Sequence, residues 1–358
     1  MNQVNSTLPA GDGQANGSVR QIVLPRRSRG RQSSTAQAIY WRAADRFARQ
    51  ILQINSTLDF QVSSRGWCYL LEGWGLTKDE FDACQDAIND CRKDGSLPLD
   101  IVADDAKRAF HNVEQVDDVG PEEFARAQLA ATYTLADQYL PVSFWEDQDH
   151  YVQEVVEKID LRELFKPVCG PFRIPIANAG GWSNLGVRAE MMTRFKYWEA
   201  RGKKPVLLYC GDFDPAGVRI SDFLMDNLIE LERAVGWDPR GLIIDRFGLN
   251  LDFIEANGLS WINNLITGGK GKMSLADPRH KDHAQPYVQN WLRDIGERKV
   301  EANALVVRPE AGRRLCLDAI TKYVDPEAPQ RYEELIRDDQ DQVRAAFEVL
   351  VPSAPWDE

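Results

Sequence analysis

The chain has 358 residues, 43% hydrophobic and 27% charged, with a formal net charge of −12. These values fit a soluble globular protein of one large or two medium domains. No apolar run approaches the ~20 residues a membrane helix needs, and the N-terminus lacks the regions of a signal peptide, so the expectation is a cytoplasmic protein with no membrane partner. The acidity argues at first against nucleic acid, but it is segregated. Residues 72–118 carry −8 and residues 325–358 carry −7, which leaves about +3 on the rest, and phosphate contacts depend on local patches.

Residues 1–36, rich in Gly, Ser, Asn and Gln, read as a disordered basic leader. The four arginines of PRRSRGR (25–31) suit either a DNA backbone or a solvated tail. Order is expected from about Thr35, where Ile39, Ala43, Phe47, Ile51 and Ile54 share one helical stripe. Ser63 and Ser64 are candidate caps for a short helix running to Glu72, broken by Gly73 and Gly75. Thr77 caps a second helix, with Phe81, Cys84, Ile88 and Cys91 as its buried stripe and Gly95 as its end. SLPLDIVAD then reads as a short strand or wing. Helix, tight turn, helix and wing is the order of a winged helix-turn-helix, assigned to 37–120. A linker helix is expected within 121–147.

From residue 148 strands alternate with helices. Strands are expected in HYVQEVVEK, FRIPIANAGG, PVLLYCGDFDPAG and GLIIDRF, with helices at 186–201 and 219–235. This alternation predicts an α/β domain with a Rossmann-like, largely parallel sheet over 148–325, followed by an acidic segment at 326–358. The run 205–210 is apolar throughout, as for a strand buried on both faces.

Sites in open α/β sheets form at the carboxyl ends of strands. Asp212 and Asp214 lie just past the apolar strand, and Glu157 ends the strand YVQEVV. Carboxylates so placed suit Mg2+, which takes a few carboxylates plus water and phosphate oxygens. Each has a plainer alternative, a surface turn for the aspartates and a solvated Glu-Lys pair for Glu157–Lys158. Arg65 and Tyr69 lie one helical turn apart. Tyr69 is either a nucleophile or a core aromatic between Trp67, Leu70 and Leu71. Lys158, Arg188, Lys270, Lys272, Arg279 and Lys281 are candidate DNA contacts, the last four in a glycine-rich basic stretch, 268–283. His280 and His283 form an HxxH pair, either a metal site or part of a solvated loop. Six cysteines without a CxxC pair read as reduced core thiols.

A strand ending in Glu157 followed by one ending in GDFDPAG resembles the Toprim signature, in the form found in the A-type subunits of topoisomerase VI and the related meiotic double-strand-break enzymes. Arg65-Gly66-Trp67-Cys68-Tyr69 resembles their Arg-x-x-Tyr-Tyr motif, with Cys68 in place of the penultimate tyrosine. RKDGSLPLD (92–100), DRFGLN, and KVEANAL with its possible accessory Glu301 resemble segments of short stand-alone relatives from phages and mobile elements. The likeness spans roughly residues 40–325. It implies a winged-helix domain joined to a Toprim domain, with Mg2+ on Glu157, Asp212 and Asp214, and Tyr69 attacking a phosphate held by Arg65. It also implies a homodimer in which the tyrosine of one subunit meets the metal site of the other. No P-loop is present in the sequence, so strand passage on double-stranded DNA would call for a separate ATPase subunit. A Toprim nuclease in which Tyr69 is idle and a non-catalytic DNA-binding protein are the alternatives.

Overall fold

A computed structural model describes residues 22–27, 33–103, 119–178, 185–266 and 273–350. Three helices open it, α1 (Ser34–Asn55), α2 (Ser64–Glu72) and α3 (Phe81–Asp94), and α4 (Pro121–Thr134) follows. The α/β part runs β1 (His150–Val156), α5 (Ile159–Cys169), β2 (Ile176–Asn178), α6 (Leu185–Glu199), β3 (Lys204–Cys210), α7 (Ile220–Ile229), α8 (Glu232–Val235), β4 (Ile243–Gly248) and α9 (Leu251–Asn257). Then come α10 (Pro286–Asp294), α11 (Pro309–Ile320) and α12 (Ala328–Leu350). The fold is α/β, and the four strands among the described residues form one parallel sheet in the order β2-β1-β3-β4.

Local signals set most of the boundaries. The Ser63 side chain accepts the Gly66 amide and starts α2. Thr77 and Glu80 form a reciprocal capping box before α3. Gly95 ends α3 at φ 85°, a backbone conformation that a residue with a Cβ rarely adopts. Every residue of β3 after Lys204 is buried, as its unbroken apolar run requires of a strand covered on both faces. Alternation along β1 divides its side chains between those two faces. Gln153 donates to the Met191 carbonyl of α6 at 3.0 Å, while Glu154 faces Cys169 of α5 and Cys316 of α11. The helical region and the sheet share one apolar core, which runs from Phe47 and Trp67 through Leu164 and Leu207 to Ile336.

Several expectations need correcting. The stripe of α1 is Tyr40, Ala44, Phe47, Ala48, Ile51 and Ile54, and Ile39 points to solvent. SLPLDIVAD holds a 3-10 turn at Leu99–Ile101 where a strand or wing was expected, and no strand follows α3 before β1 among the described residues. The expected helix at 219–235 breaks into α7 and α8. Residues 22–27 are no free tail. Ile22 and Leu24 are buried, the Ile22 amide donates to the Trp74 carbonyl, and Arg26 and Arg27 pair with Glu80 and Asp90. Those two arginines neutralise acidic groups of the chain itself. No helix among the described residues is long and apolar enough to cross a membrane.

Candidate active site at the strand ends

Parallel pairing of β1 with β3 sets Val156 beside Cys210, so Glu157 and Asp212 emerge together at the carboxyl edge of the sheet. The Glu157 amide donates to the Cys210 carbonyl at 2.9 Å, and the Asp212 amide donates to Glu157 Oε2 at 2.7 Å. Gly211 makes this approach possible. A Cβ there would lie 2.5 Å from the Tyr209 hydroxyl and 2.7 Å from Glu157 Oε2. Phe213 then pairs antiparallel with Val300, which lays Glu301 and Ala302 against the same edge, and the Ala302 amide donates to Asp212 Oδ1 at 2.8 Å.

Lys158, expected to contact DNA, instead bridges the two carboxylates. Its Nζ lies 2.6 Å from Glu157 Oε1 and 2.9 Å from Asp212 Oδ2. Burial alone would lower the Lys158 pKa, but Asp212 and Glu157 more than offset it and hold the ammonium charged. Burial raises Glu157, but the Lys158 charge and the Asp212 amide outweigh that and keep it ionised below the usual range. Asp212, more deeply buried and beside the Glu157 charge, is pushed up to about 7 despite Lys158.

The helical region supplies the rest of the site. Arg65 grips Glu301 with two nitrogens, Nε at 3.0 Å and Nη2 at 3.2 Å, and the Tyr69 hydroxyl donates to Glu301 Oε2 at 2.9 Å. Arg65 and Tyr69 reach this carboxylate together because i and i+4 share one face of α2. Burial tends to raise Glu301, but Arg65 and the Tyr69 hydroxyl hold it ionised, below the usual range. Tyr69 is wholly buried, edge-on to Phe81 with the Lys78 ammonium 3.8 Å from its ring centre. Burial, together with the Glu301 charge, drives its phenol far above 10. The Tyr69 hydroxyl thus meets Glu301 of its own chain.

α2 is held to the sheet by a buried knot. Asp160, in the first turn of α5, accepts the Ser63 amide, the Ser63 hydroxyl at 2.6 Å and the Asn303 side-chain amide. Arg246 of β4 pins the turn after β3, donating to the carbonyls of Gly217 at 2.9 Å, Asp212 at 3.3 Å and Leu249 at 2.7 Å. Neither residue stood out in the sequence. Arg246 carried a signal, a charged Asp245-Arg246 pair inside the strand GLIIDRF; Asp160 carried none.

The other expected site residues lie elsewhere. Asp214 Oδ1 accepts the Gly217 amide at 2.6 Å and so closes the local turn. Glu157, Asp212 and Asp214 do not gather their oxygens within 4.8 Å of one another, and the one such cluster among the described residues is Glu154, Cys169 and Cys316. Arg188 is buried and donates to the backbone and side-chain oxygens of Asn227, so its charge serves the fold where a DNA contact was expected. Arg279 and Lys281 are exposed, with Arg279 held on Asp277 at 2.7 Å. His280 and His283 make separate local hydrogen bonds, to the Asp282 amide and with the Leu275 carbonyl, and do not converge on an ion. Lys270 and Lys272 lie outside the described residues.

The donor chemistry of Glu157 and Asp212 fits a divalent cation of the Mg2+ class. Each carboxylate has one oxygen fixed by a backbone amide and the other turned to a shared positive charge, a place the Lys158 ammonium fills. Comparisons with protein-family models, with curated proteins and with solved structures each return no match.

Proposed function

We propose that the chain cleaves phosphodiester bonds of double-stranded DNA with the help of Mg2+, and that Glu157 and Asp212 hold the ion. The observation that carries this reading is the pair of carboxylates at adjacent strand ends, both aimed at one cation. Mg2+ bound there would set positive charge against the phosphate oxygens as the bond breaks. Lys158 competes for the same two oxygens and, once displaced, is a cation beside the phosphate. Arg65, with Glu301 keeping it ionised and oriented, is a second phosphate holder, since a guanidinium matches phosphate geometry. Exposed Lys281 offers a further cation to a phosphate, while the Arg279 charge is shared with Asp277.

In this reading water is the nucleophile. Tyr69 is shut off from solvent and its proton is held tightly, so the phenol serves to position Glu301. A second reading has one observation in its favour. Glu301 stands 2.9 Å from the Tyr69 oxygen, within reach to take its proton. The phenolate oxygen would then attack the phosphorus, form a phosphotyrosine and release a 3′-hydroxyl, as in the A-type subunits of type IIB topoisomerases. A homodimer would cut both strands, and a separate ATPase subunit would drive strand passage.

Supercoiled plasmid with Mg2+ or EDTA separates these readings. We expect Mg2+-dependent nicking that disappears in Asp212→Ala and stays within about tenfold of wild type in Tyr69→Phe, the range for a residue that only orients a charged group. A covalent protein–DNA adduct lost in both variants would establish the tyrosine reading instead. DNA binding without Mg2+-dependent cutting in the wild type would reject both.

A further inference from the structure

We propose that Glu154, Cys169 and Cys316 form a buried structural site for a thiophilic divalent ion of the Zn2+ class. Their ligand atoms all lie within 4.8 Å of one another, and all three residues are buried. They come from three elements, the middle of β1, the last turn of α5 and the body of α11. Both thiols point at one carboxylate oxygen, with Cys169 Sγ 3.1 Å and Cys316 Sγ 3.5 Å from Glu154 Oε2. The other oxygen, Oε1, is fully enclosed and has no hydrogen-bond partner.

Without an ion this is a poor arrangement. A buried carboxyl oxygen with no partner forfeits its hydration, and thiols are weak donors that return little of it. A metal resolves the conflict. Two thiolates and a carboxylate binding through both oxygens offer four donor atoms, the number a closed zinc site uses. Sulfur ligands select against Mg2+, so this centre and the Glu157–Asp212 edge take different ions and share no ligand. Burial raises the Glu154 carboxyl to about 7. Binding therefore releases two thiol protons, and the carboxyl proton wherever Glu154 carries one. All three residues are enclosed, so the ion enters as the chain folds and then ties β1 to both helices that cover this face.

Co2+ alone is the probe. Full-length reduced protein is unfolded and refolded with one equivalent of Co2+. We expect a sulfur-to-cobalt charge-transfer band at one ion per chain, which Zn2+ displaces. The band disappears in Cys169→Ser and in Cys316→Ser. It persists in Asp212→Asn, which touches only the other site, and in Cys84→Ser, a control for loss of a buried thiol elsewhere. Refolded wild-type protein without the band overturns the proposal, whether or not the variants fold. A band that survives in both Cys169→Ser and Cys316→Ser overturns it as well.

Discussion

Glu154 and Glu157 stand three residues apart on one strand and its immediate extension, yet they are different chemical groups. Glu157 lies past the last pair of the sheet, where an ammonium and a backbone amide reach it, and it stays ionised below the usual glutamate range. Glu154 points into the layer between β1, α5 and α11, meets only two thiols, and holds its proton up to about pH 7. The difference teaches that distance from the strand end decides whether a carboxylate is a working charge or a buried ligand. Within the sheet the neighbouring strands and helices exclude water and the chain's own charged side chains. Past its edge the loops bring both.

The sharpest test of this contrast is catalytic. Asp212→Asn keeps the size of the side chain and removes the charge at the edge, and Mg2+-dependent cleavage should fall by about 100-fold or more, as expected when a charge that stabilises the transition state is lost. Glu154→Gln should leave cleavage within about threefold, because its effect belongs to folding. Equal losses in the two variants would erase the distinction.

A smaller effect appears in stability against pH in metal-free protein. Glu154 titrates at about 7 folded against 4.5 as an ordinary glutamate. Its contribution is therefore full below pH 4.5, declines as the unfolded chain ionises first, and is gone above about pH 7. Across that window the wild type should lose up to about 3 kcal/mol relative to Glu154→Gln, read from urea midpoints at successive pH values. A constant difference from pH 4 to 8 would show that Glu154 is not buried as described. The smallest effect comes from Gly211→Ala. The added methyl meets the Tyr209 hydroxyl and Glu157 Oε2, so we expect about 1–3 kcal/mol lost in denaturant unfolding, with weakened Mg2+ dependence.

Features written in neighbouring residues were legible in the sequence. The caps at Ser63 and Thr77, the stop at Gly95, and the positions of Glu157 and Asp212 just past apolar strands all follow from local pattern. What was not legible depends on distant partners. Lys158 reads as a DNA contact or a solvated partner of Glu157, and only the fold brings Asp212, 54 residues on, beside it. Arg188 looked like part of a basic surface until Asn227 claimed it. The cysteines gave no spacing signal because Cys169 and Cys316 meet through packing of α5 on α11, and the glutamate between them sits in a third element.

The pairing of Arg65 with Glu301 spans 236 residues, and the knot of Asp160 with Ser63 and Asn303 spans 240. During synthesis α2 emerges early, but the carboxylate and amide that fix it emerge more than two hundred residues later. A chain still on the ribosome thus has its helix and its first strand end but no assembled centre. If the edge of the sheet cuts DNA, that activity waits for residues 301–303, and fragments that stop before them lack the assembled centre.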